Sequence, residues 1–79
     1  MNVSDAPKHS IRNREAVLGS QCGCYSCIRV FNGNDVRDWT DGRQTAICPN
    51  CGVDAVLPNE TDLNFLKAAC EMWFTKKAE

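Results

Sequence analysis

The sequence predicts a small α+β domain in which two cysteine knuckles sit on short antiparallel strands, with a short helix before them and a longer helix after them. Three observations predict it. Cys24-Tyr25-Ser26-Cys27 and Cys48-Pro49-Asn50-Cys51 are two CxxC pairs with twenty residues between them. Short runs of strand-forming residues adjoin each pair. A stretch near the C-terminus repeats apolar residues at helical spacing.

Two CxxC pairs at this separation are the sequence form of a closed four-thiolate zinc site, here Cys24, Cys27, Cys48 and Cys51. Two thiolates three residues apart reach one ion from a single tight turn, whose N–H groups can point back at the sulfurs. Pro49 presets φ inside the second turn, and Gly52 suits a position where a Cβ would hinder the chain. Four thiolates leave no open position for water or substrate, so the expected single Zn²⁺ is structural rather than catalytic. The core is therefore expected to be zinc-ribbon-like.

A chain of 79 residues is one domain, and a domain this small buries too little apolar surface to be comfortable without a staple. Six cysteines could supply disulfides or a metal site. Residues 1–20 contain no apolar run long enough for a signal peptide, and no stretch is long and apolar enough to span a membrane. The expectation is a cytoplasmic protein with reduced thiols, which selects metal over disulfide, and a monomer is only the default where the sequence leaves oligomeric state open. The formal charge is −1, and loading Zn²⁺ onto four ionised thiols takes it two units further negative. Such a balance gives no general attraction for phosphate backbones, although a local basic patch remains open.

Along the chain, residues 1–9 read as a mobile tail and residues 10–77 as the zinc-binding domain. Ser10 reads as the N-cap of a short amphipathic helix carrying Ile11, Val17 and Leu18, with Gly19 as its stop. Ile28-Arg29-Val30-Phe31 alternates as a strand leaving the first knuckle, and Asn32-Gly33-Asn34 is a turn. Val36 and Trp39 fit one helical turn facing inward. Asp41-Gly42 marks a hairpin that leads into Thr45-Ala46-Ile47 and so into Cys48. Val53 to Leu57 reads as a strand ended by Pro58. The last helix has Asn59 or Thr61 as its cap and Lys76 and Lys77 at its negative end. Leu63, Leu66, Cys70 and Trp73 form its apolar stripe, widened by Phe65, Ala69, Met72 and Phe74.

Cys22 is ambiguous. It either displaces Cys24 as a ligand, acts as a thiol beside the metal, or packs as a small residue in the turn. Cys70 reads as core. His9 is the only histidine, so no His-based catalytic set can be assembled from several, and its own place is a surface or helix-start position. Asp35, Asp38 and Asp41 lack the ligand alternation and terminal glutamate of a calcium loop and read as turn chemistry. Lys8, Arg12 and Arg14 make a basic N-terminal segment. Trp73 and Phe74 are adjacent on the last helix and cannot both point inward, so one of them is expected in an exposed patch that anchors a partner.

The ordered motifs resemble one family in particular. His9-Ser10, Cys22-Gly23-Cys24-Tyr25-x-Cys27, Phe31, Val36, Trp39-x-Asp41, Thr45-Ala46-x-Cys48-Pro49-x-Cys51-Gly52-Val53-Asp54, Phe65-Leu66 and Trp73-Phe74 are similar to a family of small bacterial proteins usually labelled only "cytoplasmic protein" or hypothetical protein. The resemblance runs from about His9 to Phe74. It implies a cytoplasmic bacterial or phage-related origin and a zinc-ribbon-like core, and it brings no activity with it. Typical members carry a few more residues between the second knuckle and the last helix. The expected function is a non-enzymatic module for protein–protein interaction or regulation. The alternatives are a nucleic-acid-binding zinc ribbon using Arg12 and Arg14, and a thiol redox or metal-exchange role at Cys22.

Overall fold

In the computed structural model, residues 2–74 are described. A 3-10 turn at Val3–Asp5 runs into one helical turn, α1 (Ala6–His9), and a second single turn follows as α2 (Arg14–Val17). The strands are β1 (Gln21–Cys24), β2 (Arg29–Asn32), β3 (Trp39–Thr40), β4 (Thr45–Ala46) and β5 (Val56–Pro58), and helix α3 (Leu63–Trp73) is the last element among the described residues. Strand β1 lies between β2 and β5 in a three-stranded antiparallel sheet, while β3 and β4 pair as a separate ribbon. Cys22 faces Phe31 on one side and Pro58 on the other, and Cys24 faces Arg29 and Val56. This is the predicted small α+β architecture with a ribbon-like core.

The topology places the knuckles. The first is the turn joining β1 to β2, and the second lies in the link from β4 to β5. The Tyr25 N–H donates to the Ala55 carbonyl at 3.1 Å, so the two turns run side by side. Leu57, Leu66, Val17 and Val56 are fully buried and form the centre of the core. Each contributes roughly 1.5–3 kcal/mol relative to exposure. Leu66 lies over Gly23 of β1, where any side chain would meet it, which lets α3 sit close on the sheet.

Asn13 fixes the N-terminal segment to both ribbons. Its Nδ2 donates to the His9 carbonyl at 3.0 Å and the Val56 carbonyl at 2.8 Å, and its Oδ1 accepts from the Ala46 N–H at 3.2 Å. The side chain is buried and fully satisfied, as a buried amide must be.

Several expectations need correction. Residues before Ser10, read as a tail, carry the 3-10 turn and α1, and Ala6 is fully buried. Ser10 closes α1 rather than opening a helix, its hydroxyl donating to the Pro7 carbonyl. Ile11 is exposed, so the first amphipathic element shrinks to the four residues of α2, which stop before Gly19 at φ +82°. Trp39 belongs to β3 instead of a helical turn, because the turn is used earlier, at Gly33–Asp35, where the Asn32 side chain caps the Asn34 N–H. The last strand begins only at Val56. Helix α3 is capped by Asp62, whose Oδ1 accepts from the Asn64 and Phe65 N–H groups, because Asn59 is used in a left-handed turn bonded back to Gln21. The α3 stripe is buried only at its centre, at Leu66 and Ala69, and Leu63 and Met72 are exposed. Lys76 and Lys77 lie outside the described residues.

Gly33 is held against the Val17 carbonyl, and a Cβ there would collide with that backbone oxygen. A backbone group cannot swing aside as a side-chain tip can. Gly33→Ala is expected to cost about 2 kcal/mol or more, a drop of roughly 8–16 °C in Tm. Thermal unfolding of the metal-saturated protein by circular dichroism checks it. Gly42→Ala, where the space is open and only the positive φ resists, is expected to cost about half as much.

Candidate metal centre

The two knuckles bring Cys24, Cys27, Cys48 and Cys51 together, and all four sulfurs lie within 4.8 Å of one another. Two approaches between the knuckles are close: Cys24 Sγ to Cys51 Sγ is 3.6 Å and Cys27 Sγ to Cys48 Sγ is 3.7 Å. An ion about 2.3 Å from each sulfur at tetrahedral angles spaces them about 3.8 Å apart. A disulfide needs about 2 Å. The arrangement therefore fits one tetrahedral metal ion, and no disulfide joins the four cysteines.

The backbone is folded to serve the sulfurs. The Ser26 N–H donates to Cys24 Sγ at 3.3 Å, and the Asn50 and Cys51 N–H groups donate to Cys48 Sγ at 3.3 and 3.5 Å. The Asn50 amide adds a bond to Cys27 Sγ at 3.5 Å, joining one knuckle to the other. Such bonds stabilise thiolate over thiol. Both knuckles end alike. The N–H of Ile28 donates to the Cys24 carbonyl at 2.8 Å and that of Gly52 to the Cys48 carbonyl at 3.0 Å. Both residues then take positive φ, +57° and +78°. Gly52 adopts this freely. Ile28 is β-branched and holds it against roughly 1–2 kcal/mol of strain, which packing of its half-buried side chain on the core opposes. The alternation that suggested a strand from Ile28 concealed this.

The thiols differ in their surroundings. Burial pushes the Cys24 thiol far above its usual range, against the opposing N–H bonds from Cys27 and Ser26. Burial also raises Cys48, again against backbone N–H donors. Cys51 is exposed at the rim; burial raises it, but the Val53 N–H and the neighbouring sulfurs outweigh that and leave it below the ordinary thiol value. Without a cation the cluster holds its inner thiols protonated, and a metal must displace those protons.

No family model, no curated protein and no solved structure matches the chain. What the domain can do is read from its own geometry.

Cys22 is outside the cluster. It is fully buried, its thiol directed at the Val17 and Ser20 carbonyls at 3.7 and 3.6 Å, and burial raises its pKa despite a backbone bond from Asn59. Of the three roles left open for it, the geometry fits packing. A buried, protonated thiol is a poor nucleophile. Cys70 is half-buried, with its thiol 3.7 Å from the Ser26 carbonyl. His9 is exposed in the last turn of α1.

At the end of α3, Trp73 is 45% and Phe74 38% exposed, so neither is buried. The Trp73 Nε1–H donates to the Val3 carbonyl at 2.9 Å, and the Phe74 ring stacks obliquely on Tyr25 with centroids 5.2 Å apart. Arg12 and Arg14 do not form one helix face. Arg12 lies before α2 at φ +48° and pairs with Asp41 at 3.5 Å, an exposed ion pair of small energy. Arg14 lies over Trp39, its Cζ 4.7 Å from the ring centroid, and its Nη1 donates to the Arg43 carbonyl at 3.1 Å. Trp39 is thus only half-buried. Arg37 and Arg43 join Arg14 around one hollow, a convergence the sequence spacing conceals.

Serine at Cys24, Cys27, Cys48 or Cys51 is expected to abolish stoichiometric metal binding, whereas Cys22→Ala retains one ion per chain with a modest loss of Tm. Metal content by mass spectrometry after purification under reducing conditions decides both.

Proposed function

We infer that the four thiolates hold one structural zinc ion and that the domain is a non-enzymatic binding module acting through its protein-facing surface. The carrying observation is the closed sulfur set: four thiolates fill a tetrahedral shell, and N–H donors neutralise part of their charge. That chemistry suits zinc, which prefers thiolate and has no geometric demand beyond tetrahedral. Bound there, zinc supplies folding free energy, on the order of 10–16 kcal/mol in small zinc peptides, more than a small domain's whole margin. Free thiols of this kind persist in a reducing cytoplasm, the compartment the resemblance to bacterial cytoplasmic proteins also suggests.

The partner surface is the end of α3. Met72, Trp73 and Phe74 are consecutive large apolar residues, all exposed. The bond from Trp73 to Val3 fixes the indole before any partner arrives, which lowers the ordering cost of an aromatic anchor. No helix among the described residues is long and apolar enough to cross a membrane. The pre-ordered aromatic and thioether surface is what supports a protein partner for this patch.

Two outcomes are expected. Zinc loading of the chelated protein releases protons, seen as a buffer-dependent heat in calorimetry, and stability of the zinc form falls as pH falls. The sign follows from proton counting: the unfolded thiols, at about 8.5, bind protons at neutral pH that the zinc-bound fold does not. A zinc form whose stability is flat from pH 8 to pH 6 would refute a thiolate site. In the second, tagged zinc-loaded protein is expected to retain a protein partner from bacterial lysate after nuclease treatment, and Trp73→Ala and Met72→Asp to lose it. Equal capture by these variants removes α3 as the surface.

A further inference from the structure

Four of the five arginines of the chain line two hollows that share one of them. Arg29 and Arg37 flank a hollow of about 560 Å³ floored by Val30, Phe31 and Pro49. Arg37 also borders the second hollow, of about 370 Å³, which Arg14, Arg43, Asp38 and Trp39 complete. One arginine is thus common to both. Arg12 sits at the margin, held by Asp41. Against four arginines the two linings set Asp35 and Asp38, so the face is locally positive on a chain of net charge −1. The lysines are elsewhere: Lys8 on α1 and Lys67 on α3 among the described residues.

The segregation of arginine from lysine points to a planar, bidentate acceptor rather than to diffuse charge. The hollows differ as a nucleotide's parts differ. The Arg14–Arg37–Arg43 hollow is polar. The Arg29–Arg37 hollow is mixed, with Val30, Phe31 and Pro49 set beside Asn34, Asp35 and Asn50. The polar one is also held open by the backbone. Asp41, Gly42 and Arg43 all take positive φ, at +57°, +67° and +69°, and this turns the Arg43 carbonyl onto the Arg14 guanidinium while the Arg43 side chain borders the hollow. These are the left-handed conformations that a tight hairpin turn uses. Arg14 is fixed between that carbonyl and Trp39.

We propose that these two hollows, joined at Arg37, form a binding track for single-stranded nucleic acid, with phosphates at Arg14, Arg37 and Arg43 and a base against Phe31 and Pro49. The track uses neither Trp73 nor Phe74 and stands apart from the protein-binding reading of α3. It requires only the folded, metal-loaded domain.

The test is a fluorescence-anisotropy titration of labelled oligo(dT) and oligo(U), about 12 nucleotides long, with the zinc-loaded chain over a salt series. The logarithm of the association constant is expected to fall with the logarithm of salt at a slope of about −2 to −3, as three or four phosphate contacts on a single strand require. Arg37→Glu is expected to weaken binding about tenfold or more and to flatten the slope, and Arg43→Gln to remove about 0.7 from it. Phe31→Leu, which keeps an apolar side chain but loses the ring, weakens binding about fivefold or more at unchanged slope. Lys67→Glu leaves binding unaltered, and so does Trp73→Ala. Absence of binding at low salt overturns the proposal. So does displacement of the oligonucleotide by polyglutamate or a phosphopeptide at equal charge concentration, combined with no effect of Phe31→Leu, since that marks a generic surface for anionic peptides. An effect of Lys67→Glu equal to that of Arg37→Glu overturns it as well. Zinc content and circular dichroism of each variant establish that it is folded.

Discussion

Everything in this fold depends on bringing four sulfurs within a few ångströms of one another. Cys24 ends β1 and Cys27 lies in the turn to β2; Cys48 and Cys51 belong to the link between the second ribbon and β5. The buried core reaches both regions, with Cys24 and Tyr25 on one side and Ala46, Cys48 and Ala55 on the other, and the sulfurs meet at its edge. As thiolates the four would repel at this range, and as thiols the inner pair fills buried space with weak hydrogen-bonding groups. A dication resolves the conflict in either state. The N–H donors of the knuckles and the Asn50 amide then complete the coordination from outside the sulfur shell.

What could be read in advance follows from how local each feature is. The knuckle turns are local, and their spacing alone located all four sulfurs. The Asp41-Gly42 hairpin was equally legible, because its signal lies in the two residues that make it. Features decided by distant contacts were not. Ser10 looked like a cap, yet its hydroxyl is used by the turn preceding it. Ile28 looked like a strand residue, yet the knuckle forces it left-handed. The apolar stripe of α3 suggested full burial, yet a three-stranded sheet of short strands is too narrow to cover an eleven-residue helix end to end. The arginines are the clearest case. Arg14, Arg37 and Arg43 stand on three separate segments, and only the pairing of β3 with β4 beside α2 gathers them.

The domain therefore divides its chemistry between surfaces. The sulfur centre carries stability. The end of α3 presents aromatic and thioether surface, rigid because each ring is already engaged within the chain. Arg14 of α2, Arg29 of β2, Arg37 before β3 and Arg43 of the hairpin present guanidinium groups around shaped hollows. These surfaces are held by different elements, so an alteration at one leaves the other's geometry in place, and the two readings can be separated by substitution without disturbing the metal ligands.

Asn13 bears on how the chain reaches this state. Its partners at Ala46 and Val56 lie 33 and 43 residues along the chain, so its hydrogen bonds form only after β4 and β5 are in position. Contacts that close such long loops give little return until most of the chain entropy has been lost. The N-terminal segment is therefore expected to dock late on the folding route, with low φ-values at Asn13 and Val17 and high ones around the knuckles. The same ordering makes Arg14 the last member of the basic face to arrive and, on transient local opening, the first to leave.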